Sequence, residues 1–148
     1  MLIKAENFDL TNGSNVVRIL CGLFFFPHVA WKFIGWTGTV GFFAKAGFQP
    51  PELWVYSAAF FETVAAVALV LGIYTRWTAL LGAFVLFVAA AALFKVGGFK
   101  WLWNLGGFEY PVFWALACVA VALNAWKEAR FAVSETSRPS RVALTPAE

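Results

Sequence analysis

Four apolar segments, each long enough to cross a lipid bilayer, dominate this sequence. They lie at about residues 16–36, 53–73, 77–95 and 109–126. About twenty residues at a rise of about 1.5 Å per residue give a helix of roughly 30 Å, which matches the hydrocarbon thickness of a bilayer. The sequence therefore predicts an all-α integral membrane protein, a four-helix bundle whose antiparallel helices run up and down.

The composition supports a membrane location. Hydrophobic residues make up 61% of the chain and charged residues 13%, and the mean hydropathy is +0.75. A soluble domain is about half apolar and about a quarter charged. The net charge of +3 is small and scattered, which does not favour a nucleic-acid partner. The expected surroundings are the lipid bilayer.

The chain divides into one membrane domain and two polar ends. Residues 1–15 form a polar lead-in with no hydrophobic region of the signal-peptide type, and Asp9, Thr11 and Asn12 are candidate helix caps within it. Residues 16–126 form the four-span domain, with short interfacial segments expected in the outer loops at 37–52 and 96–108. Residues 127–148 are expected to form a flexible cytoplasmic tail.

The distribution of basic residues predicts the orientation. Four spans place both termini on one side of the membrane, and seven basic residues share that side against four on the other. The positive-inside rule then makes both termini cytoplasmic, in a multi-pass protein of a bacterial-type cytoplasmic (inner) membrane. Arg18 and Arg76 are interpreted as structural or topology anchors, with Arg18 expected to reach the lipid headgroups. The seven are Lys4, Arg18, Arg76, Lys127, Arg130, Arg138 and Arg141.

The first span carries ionisable residues that lipid alone would not tolerate. His28 and Lys32 are four residues apart and therefore share one face of the helix. Pro27 leaves the carbonyl of Leu23 without its helical partner, so a bend is expected there. Because an isolated charge is costly in a bilayer, these cations require partners elsewhere in the chain.

Two acidic residues lie at suitable depths to supply them. His28 is about 12 Å and Glu62 about 13 Å below the outer ends of their spans, counted at helical rise, which predicts a His28–Glu62 pair. Lys32 is about 6 Å below the outer end, and Glu109 opens span four from the same side. We therefore expect Lys32 near Glu109 or near a loop carbonyl.

Two interpretations of these polar residues remain open. In the first, the pairs only fix the register and orientation of the helices. In the second, they line a pocket open to the outer leaflet, because ionisable residues within a membrane are functional candidates. Asn104 and Tyr110 would then supply neutral hydrogen-bonding groups. No catalytic residue can be assigned, and the candidate ligand-binding residues are His28, Lys32, Glu62, Asn104, Glu109 and Tyr110.

The sequence patterns of common cofactor sites are missing. Cys21 and Cys118 are far apart, no CxxC pair exists, and the chain has a single histidine. This excludes a bis-histidine haem within one chain and gives no cluster suited to zinc or iron–sulfur. The two cysteines are interpreted as small core residues, so we expect no metal site, no covalent cofactor and no dithiol site.

Several motifs in order resemble the DoxX family of small four-helix membrane proteins, over about residues 16–126. Span one has the pattern R-x(3)-G-x(5)-H-x(3)-K at Arg18, Gly22, His28 and Lys32. Glu62 follows among small residues, and then an "LG-x-x-TR" turn at residues 71–76 and a "GG-x-E-Y" sequence at 106–110. The chain departs from many relatives at Phe94-Lys95, where they carry a histidine.

The resemblance implies a membrane redox setting, because relatives include a terminal quinol oxidase subunit and a thiosulfate:quinone oxidoreductase component. A quinone or similar small molecule could then bind in the outer pocket, flanked by aromatic residues such as Phe25, Trp31 and Trp103. A partner oxidoreductase subunit, or a second copy of the chain, is also implied. The alternative is a non-enzymatic membrane anchor or assembly factor whose polar pairs are structural. A transporter is less favoured, because four spans enclose little room.

Overall fold

The computed structural model describes residues 3–136, and within that range the chain is helical with no strand. Two short 3₁₀ helices lie at Ala5–Phe8 and Trp103–Leu105. The six α-helices are α1 (Gly13–Leu23), α2 (Phe25–Ile34), α3 (Trp36–Lys45), α4 (Pro51–Leu71), α5 (Thr75–Gly97) and α6 (Glu109–Thr136).

Within residues 3–136, four spans are long and apolar enough to cross a membrane, as predicted. They are Gly13–Ile34, which combines α1 and α2, then Pro51–Leu71, Thr75–Gly97 and Glu109–Phe131. We call the end of the bundle with residues 3–12 and the α4–α5 turn the terminal side. The end with α3 and the loop 98–108 is the loop side. The all-α membrane bundle predicted from the sequence is confirmed.

The first span is interrupted close to the predicted bend. α1 ends at Leu23 and α2 begins at Phe25, so the break lies at Phe24, three residues before Pro27. A proline lacks the N–H that would bind the carbonyl four residues earlier, which explains an interruption at this point. At the other end of α1, Asn12 caps the helix because its side chain accepts a hydrogen bond from the Ser14 N–H at 3.0 Å.

The structure adds a helix to one predicted segment and lengthens another predicted element. The interfacial segment after span one contains a regular helix, α3, which packs against α4. The fourth span was predicted to end near residue 126, yet α6 continues to Thr136, well into the expected tail. The rest of that tail, residues 137–148, lies outside the described residues.

The bundle packs through small residues and places large ones outside. α4 packs against α1, α2, α3 and α5, and α5 packs along α6. Alanines fill the centre, with 0% exposure at Ala65, Ala66, Ala79, Ala115 and Ala122, whereas phenylalanines such as Phe60, Phe84 and Phe113 are exposed. Small residues let helix backbones approach closely in lipid, where burial of large apolar side chains gains little.

Gly22 marks the closest approach of α1 to α4. A Cβ atom at this position would lie 2.9 Å from the Ala66 carbonyl oxygen and 3.0 Å from the Cβ of Leu69. Only glycine leaves room for this contact. Gly22, part of the pattern found in span one, therefore sets the spacing of the two helices.

Candidate functional site

A cavity of about 340 Å³ opens in the loop-side half of the bundle. α2, α4, α5 and the start of α6 form its walls, and the loop 98–108 covers it. Its volume lies at the lower end of the range for small-molecule sites, about 300–1,000 Å³. The lining residues are Phe25, His28, Lys32, Glu62, Leu86, Ala89, Leu93, Trp103, Gly106, Gly107, Tyr110, Pro111 and Trp114.

An ion pair between Lys32 and Glu62 forms the charged wall of the cavity. Lys32 Nζ donates to Glu62 Oε2 at 2.6 Å, and also lies 3.4 Å from the backbone oxygen of His28. The two side chains are 14% and 9% exposed, so the pair is largely shielded from surrounding solvent. It joins α2 to α4 directly.

This pairing corrects the predicted one. Glu62 binds Lys32, and neither the His28–Glu62 pair nor the Lys32–Glu109 pair is formed among the described residues. Side chains on a helix lean toward its N-terminus. Lys32 therefore extends back toward the bilayer centre, while Glu62, on a helix that runs the other way, extends outward to meet it.

One oxygen of Glu62 remains available to the cavity. Within the described part of the chain, Oε1 accepts no hydrogen bond, and no side-chain polar atom there is both fully buried and unpartnered. Oε1 is therefore open to the cavity rather than sealed in the core. A carboxylate oxygen in this position can accept a hydrogen bond from a ligand.

His28 presents an unpaired imidazole beside two aromatic rings. Its ring lies nearly parallel to that of Tyr110, with centroids 6.0 Å apart at 20°, and 5.4 Å from the ring of Trp114. Neither imidazole nitrogen forms a hydrogen bond with any residue in the range 3–136. The ring is thus positioned by stacking, and both nitrogens are free to bind a polar group.

The loop 98–108 is folded tightly over the cavity. The N–H groups of Gly107, Phe108 and Glu109 donate to the carbonyls of Leu102, Lys100 and Trp101 at 2.9, 3.1 and 3.0 Å. A Cβ on Gly107 would collide with the backbone of Lys100 and Trp101. Gly107 is therefore necessary for the fold of the loop that carries Trp103 and Gly106 to the cavity.

Four of the six candidate residues meet at this cavity, and two do not. His28, Lys32, Glu62 and Tyr110 line it. Asn104 is exposed on the loop. Glu109 faces the loop backbone, where its Oε2 accepts a hydrogen bond from the Trp103 N–H at 3.4 Å. Of the expected aromatic flanks, Phe25 and Trp103 line the cavity, whereas Trp31 lies outside it and is 68% exposed.

Trp114 is the aromatic lining residue that was not predicted from the sequence. It is 4% exposed, and its ring contacts that of Phe25 with centroids 4.3 Å apart at a tilt of 38°. Its Nε1 donates to the Cys21 backbone oxygen at 3.2 Å. Its position four residues after Tyr110 places both on one face of α6. That spacing was the available signal.

The two arginines have different surroundings. Arg18 was expected at the headgroups, but it is buried, with 4% exposure, and its guanidinium donates to the carbonyls of Leu69, Val70 and Asn7. The last carbonyls of a helix lack partners within it, so Arg18 satisfies the end of α4. Arg76 is exposed, and its guanidinium lies 5.6 Å from the centre of the Trp77 ring.

Comparison with known proteins finds one matching family model and one protein of similar sequence. A family model described as DoxX matches residues 13–96, which contain the first three spans. The chain is also 29% identical over 119 residues to a protein of Bacillus subtilis (strain 168) named "Putative oxidoreductase CatD", covering 80% of this chain and 82% of that protein. No solved structure is significantly similar to the chain.

Proposed function

The chain belongs to the DoxX family, and on that premise we propose that it is the membrane subunit of a redox system and binds a quinone or a similar small planar molecule in its loop-side cavity. The unpaired imidazole of His28, stacked beside Tyr110 and close to the tilted ring of Trp114, is the observation that supports this most strongly. The relative named as an oxidoreductase is consistent with the redox setting.

The residues of the cavity suit the chemistry of a quinone. A quinone is a flat ring that carries two acceptor oxygens, and it takes up protons when it is reduced. Phe25, Trp103 and Trp114 offer ring faces for stacking. His28 and the Tyr110 hydroxyl can donate hydrogen bonds to the ring oxygens, and an imidazole can exchange protons near neutral pH.

The Lys32–Glu62 pair would serve this site as a source of charge and protons. It lines the same cavity as His28, and Glu62 Oε1 is open to it. Intramembrane ionisable residues commonly mark proton or substrate sites. In this proposal His28 holds the ligand, and the ion pair sets the electrostatic potential around it.

The same ion pair favours a second candidate function, a non-enzymatic anchor or assembly factor for a partner oxidoreductase. Lys32–Glu62 ties α2 to α4, and Arg18 closes the end of α4. Both contacts would be needed by a bundle that only holds a partner subunit or a second copy of the chain. In either case we place the protein in a bacterial-type cytoplasmic membrane with cytoplasmic termini, from the excess of basic residues on the terminal side.

His28→Gln separates the two functions. Glutamine keeps a hydrogen-bonding group of similar length but cannot exchange protons as an imidazole does. We expect the variant to insert and to assemble normally, while quinone-dependent turnover per assembled complex falls by about 10²-fold, the lower range for loss of a general acid–base. Complex yield and turnover are measured on the same preparation.

Trp31→Phe is the matched control. Trp31 lies on the same helix but outside the cavity, so this variant should retain normal turnover and yield. Normal turnover per complex in His28→Gln would refute the binding proposal. A fall in activity that only follows a fall in yield would favour the anchor.

A further inference from the structure

Two cysteines that are 97 positions apart in sequence meet in the core of the bundle. Cys21 lies on α1 and Cys118 on α6, and both are buried and free. Both belong to one contiguous cluster of buried side chains, which also contains Phe25 and Trp114. No CxxC motif predicts a dithiol in this chain, and only the packing of α1 against α6 brings the two cysteines into one cluster.

The dithiol lies directly behind one wall of the cavity. Trp114 borders the cavity on one side, where its ring is 5.4 Å from that of His28. On the other side, its Nε1 donates to the Cys21 backbone oxygen at 3.2 Å. Trp114 therefore contacts both the cavity in which a quinone is proposed to bind and the backbone of Cys21.

The position of the thiols shields them from charged, water-soluble reagents. Cys21 is about 12 Å from the terminal-side end of its span and Cys118 about 14 Å from the loop-side end of its own, at helical rise. Both therefore lie near the middle of a bilayer whose hydrocarbon core is about 30 Å thick. A lipid-soluble oxidant can reach this depth, whereas glutathione and other charged thiols cannot.

We propose that Cys21 and Cys118 form a dithiol/disulfide couple that exchanges two electrons with a quinone bound in the loop-side cavity. This rests on the proposed function, and adds a redox group of the chain's own to it. In the forward direction two S–H bonds break and one S–S bond forms. The quinone gains two electrons and two protons, so that each carbonyl oxygen becomes a hydroxyl.

The surrounding residues support such an exchange. The two protons released by the thiols balance the two taken up at the quinone oxygens, and His28 and the Lys32–Glu62 pair line the same cavity as proton-exchanging groups. α1 and α6 already pack against each other, so the two cysteines share an interface that the folded bundle has formed. The reverse direction, in which a quinol reduces the disulfide, uses the same atoms.

The test is a single-turnover reaction of the purified, detergent-solubilised chain. The protein is reduced, freed of reductant and mixed anaerobically with decylubiquinone. Quinol formation is followed by ultraviolet absorbance, and free thiols are counted by alkylation in denaturant and intact mass. We expect one quinol per chain, loss of both thiols, and one linked peptide pair containing Cys21 and Cys118.

A variant that cannot turn over measures binding alone. Cys118→Ala should bind decylubiquinone with unchanged affinity, read from tryptophan quenching, and should form no quinol. Val121→Ala removes a similar volume from the buried face of α6 and keeps both thiols, so it should still form one quinol per chain. The thiol count on the unmodified chain requires no variant. It therefore tests the dithiol couple even if Cys118→Ala does not fold.

The outcomes distinguish the inference from the proposed function. Quinone binding with both thiols still open to alkylation would overturn the dithiol couple and leave the binding site standing. No quinone binding to the unmodified chain or to Cys118→Ala would overturn the proposed function itself. Diamide, which oxidises neighbouring thiols without needing the cavity, should link the two cysteines, and failure to do so would overturn their juxtaposition.

Discussion

Replacing Lys32 by methionine tests the ion pair at the centre of the site. Lys32→Met keeps a flexible side chain of similar length but leaves Glu62, whose side chain is 9% exposed, without its cation. At the observed separation of 2.6 Å the attraction amounts to about 6 kcal/mol if the effective dielectric constant is about 20. Desolvation of the two ions opposes most of this gain.

Removing one partner lowers the free energy of unfolding by more than the net stabilisation that the intact pair provides. Breaking a buried ion pair costs about 3–5 kcal/mol, because an uncompensated charge stays behind. We expect about 3 kcal/mol for Lys32→Met, at the lower end, since both side chains retain some exposure. Glu62→Leu should cost only about 1–2 kcal/mol, because a free lysine near the loop side can extend to the membrane interface. The double variant, Lys32→Met with Glu62→Leu, should be destabilised by less than Lys32→Met alone, because no unpaired charge remains.

The assay is a double-mutant cycle of the free energy of unfolding. The chain and the three variants are unfolded in mixed micelles with rising sodium dodecyl sulfate, and tryptophan fluorescence and far-ultraviolet circular dichroism are recorded. We expect a coupling energy of about 2–3 kcal/mol between the two positions, within the usual range for residues in contact. Costs that add to within about 0.5 kcal/mol would refute a direct contact.

Three further predictions test the packing, the loop and the orientation. Gly22→Ala should destabilise the chain by about 1–3 kcal/mol through crowding at α4, whereas Gly41→Ala, which has open space around its Cβ position, should not; equal stabilities would contradict the close approach. Gly107→Ala should weaken decylubiquinone binding by at least tenfold, while Gly97→Ala, whose nearest neighbour atom is 4.0 Å away, leaves it unchanged. Cysteines introduced at Lys100 and Ser134 should react with a membrane-impermeant maleimide from opposite sides of sealed vesicles, and reaction from the same side would refute the predicted topology.

The sequence alone was sufficient for the architecture. Long apolar segments can satisfy their backbone hydrogen bonds in lipid only by forming helices, so length and hydropathy fix four spans. Pro27 and Asn12 similarly act through their own local chemistry, the missing N–H of a proline and the side-chain oxygen of a cap. Such properties do not depend on which helices are neighbours.

The choice of partners needed the tertiary structure. Counting helical rise predicted the depths of His28, Lys32 and Glu62 in the membrane. These are three of the four candidate residues that line the cavity. Helical rise could not give the direction in which each side chain leans or the rotation of each helix. For that reason Glu62 was assigned to His28, although it binds Lys32. Arg18 was likewise placed at the headgroups, because the sequence does not show that the carbonyls ending α4 lie beside it.

Contacts between helices that are far apart in the sequence were the hardest feature to predict. Cys21 belongs to α1, whereas Trp114 and Cys118 belong to α6, and only the packing of those helices brings the three into one buried cluster. In lipid many faces of a helix are equally apolar, so hydropathy says little about which face is buried. Spacing within one helix is a local property that the sequence determines, whereas proximity between helices follows from the packing of small residues, such as Gly22 and the central alanines, which only the folded bundle reveals.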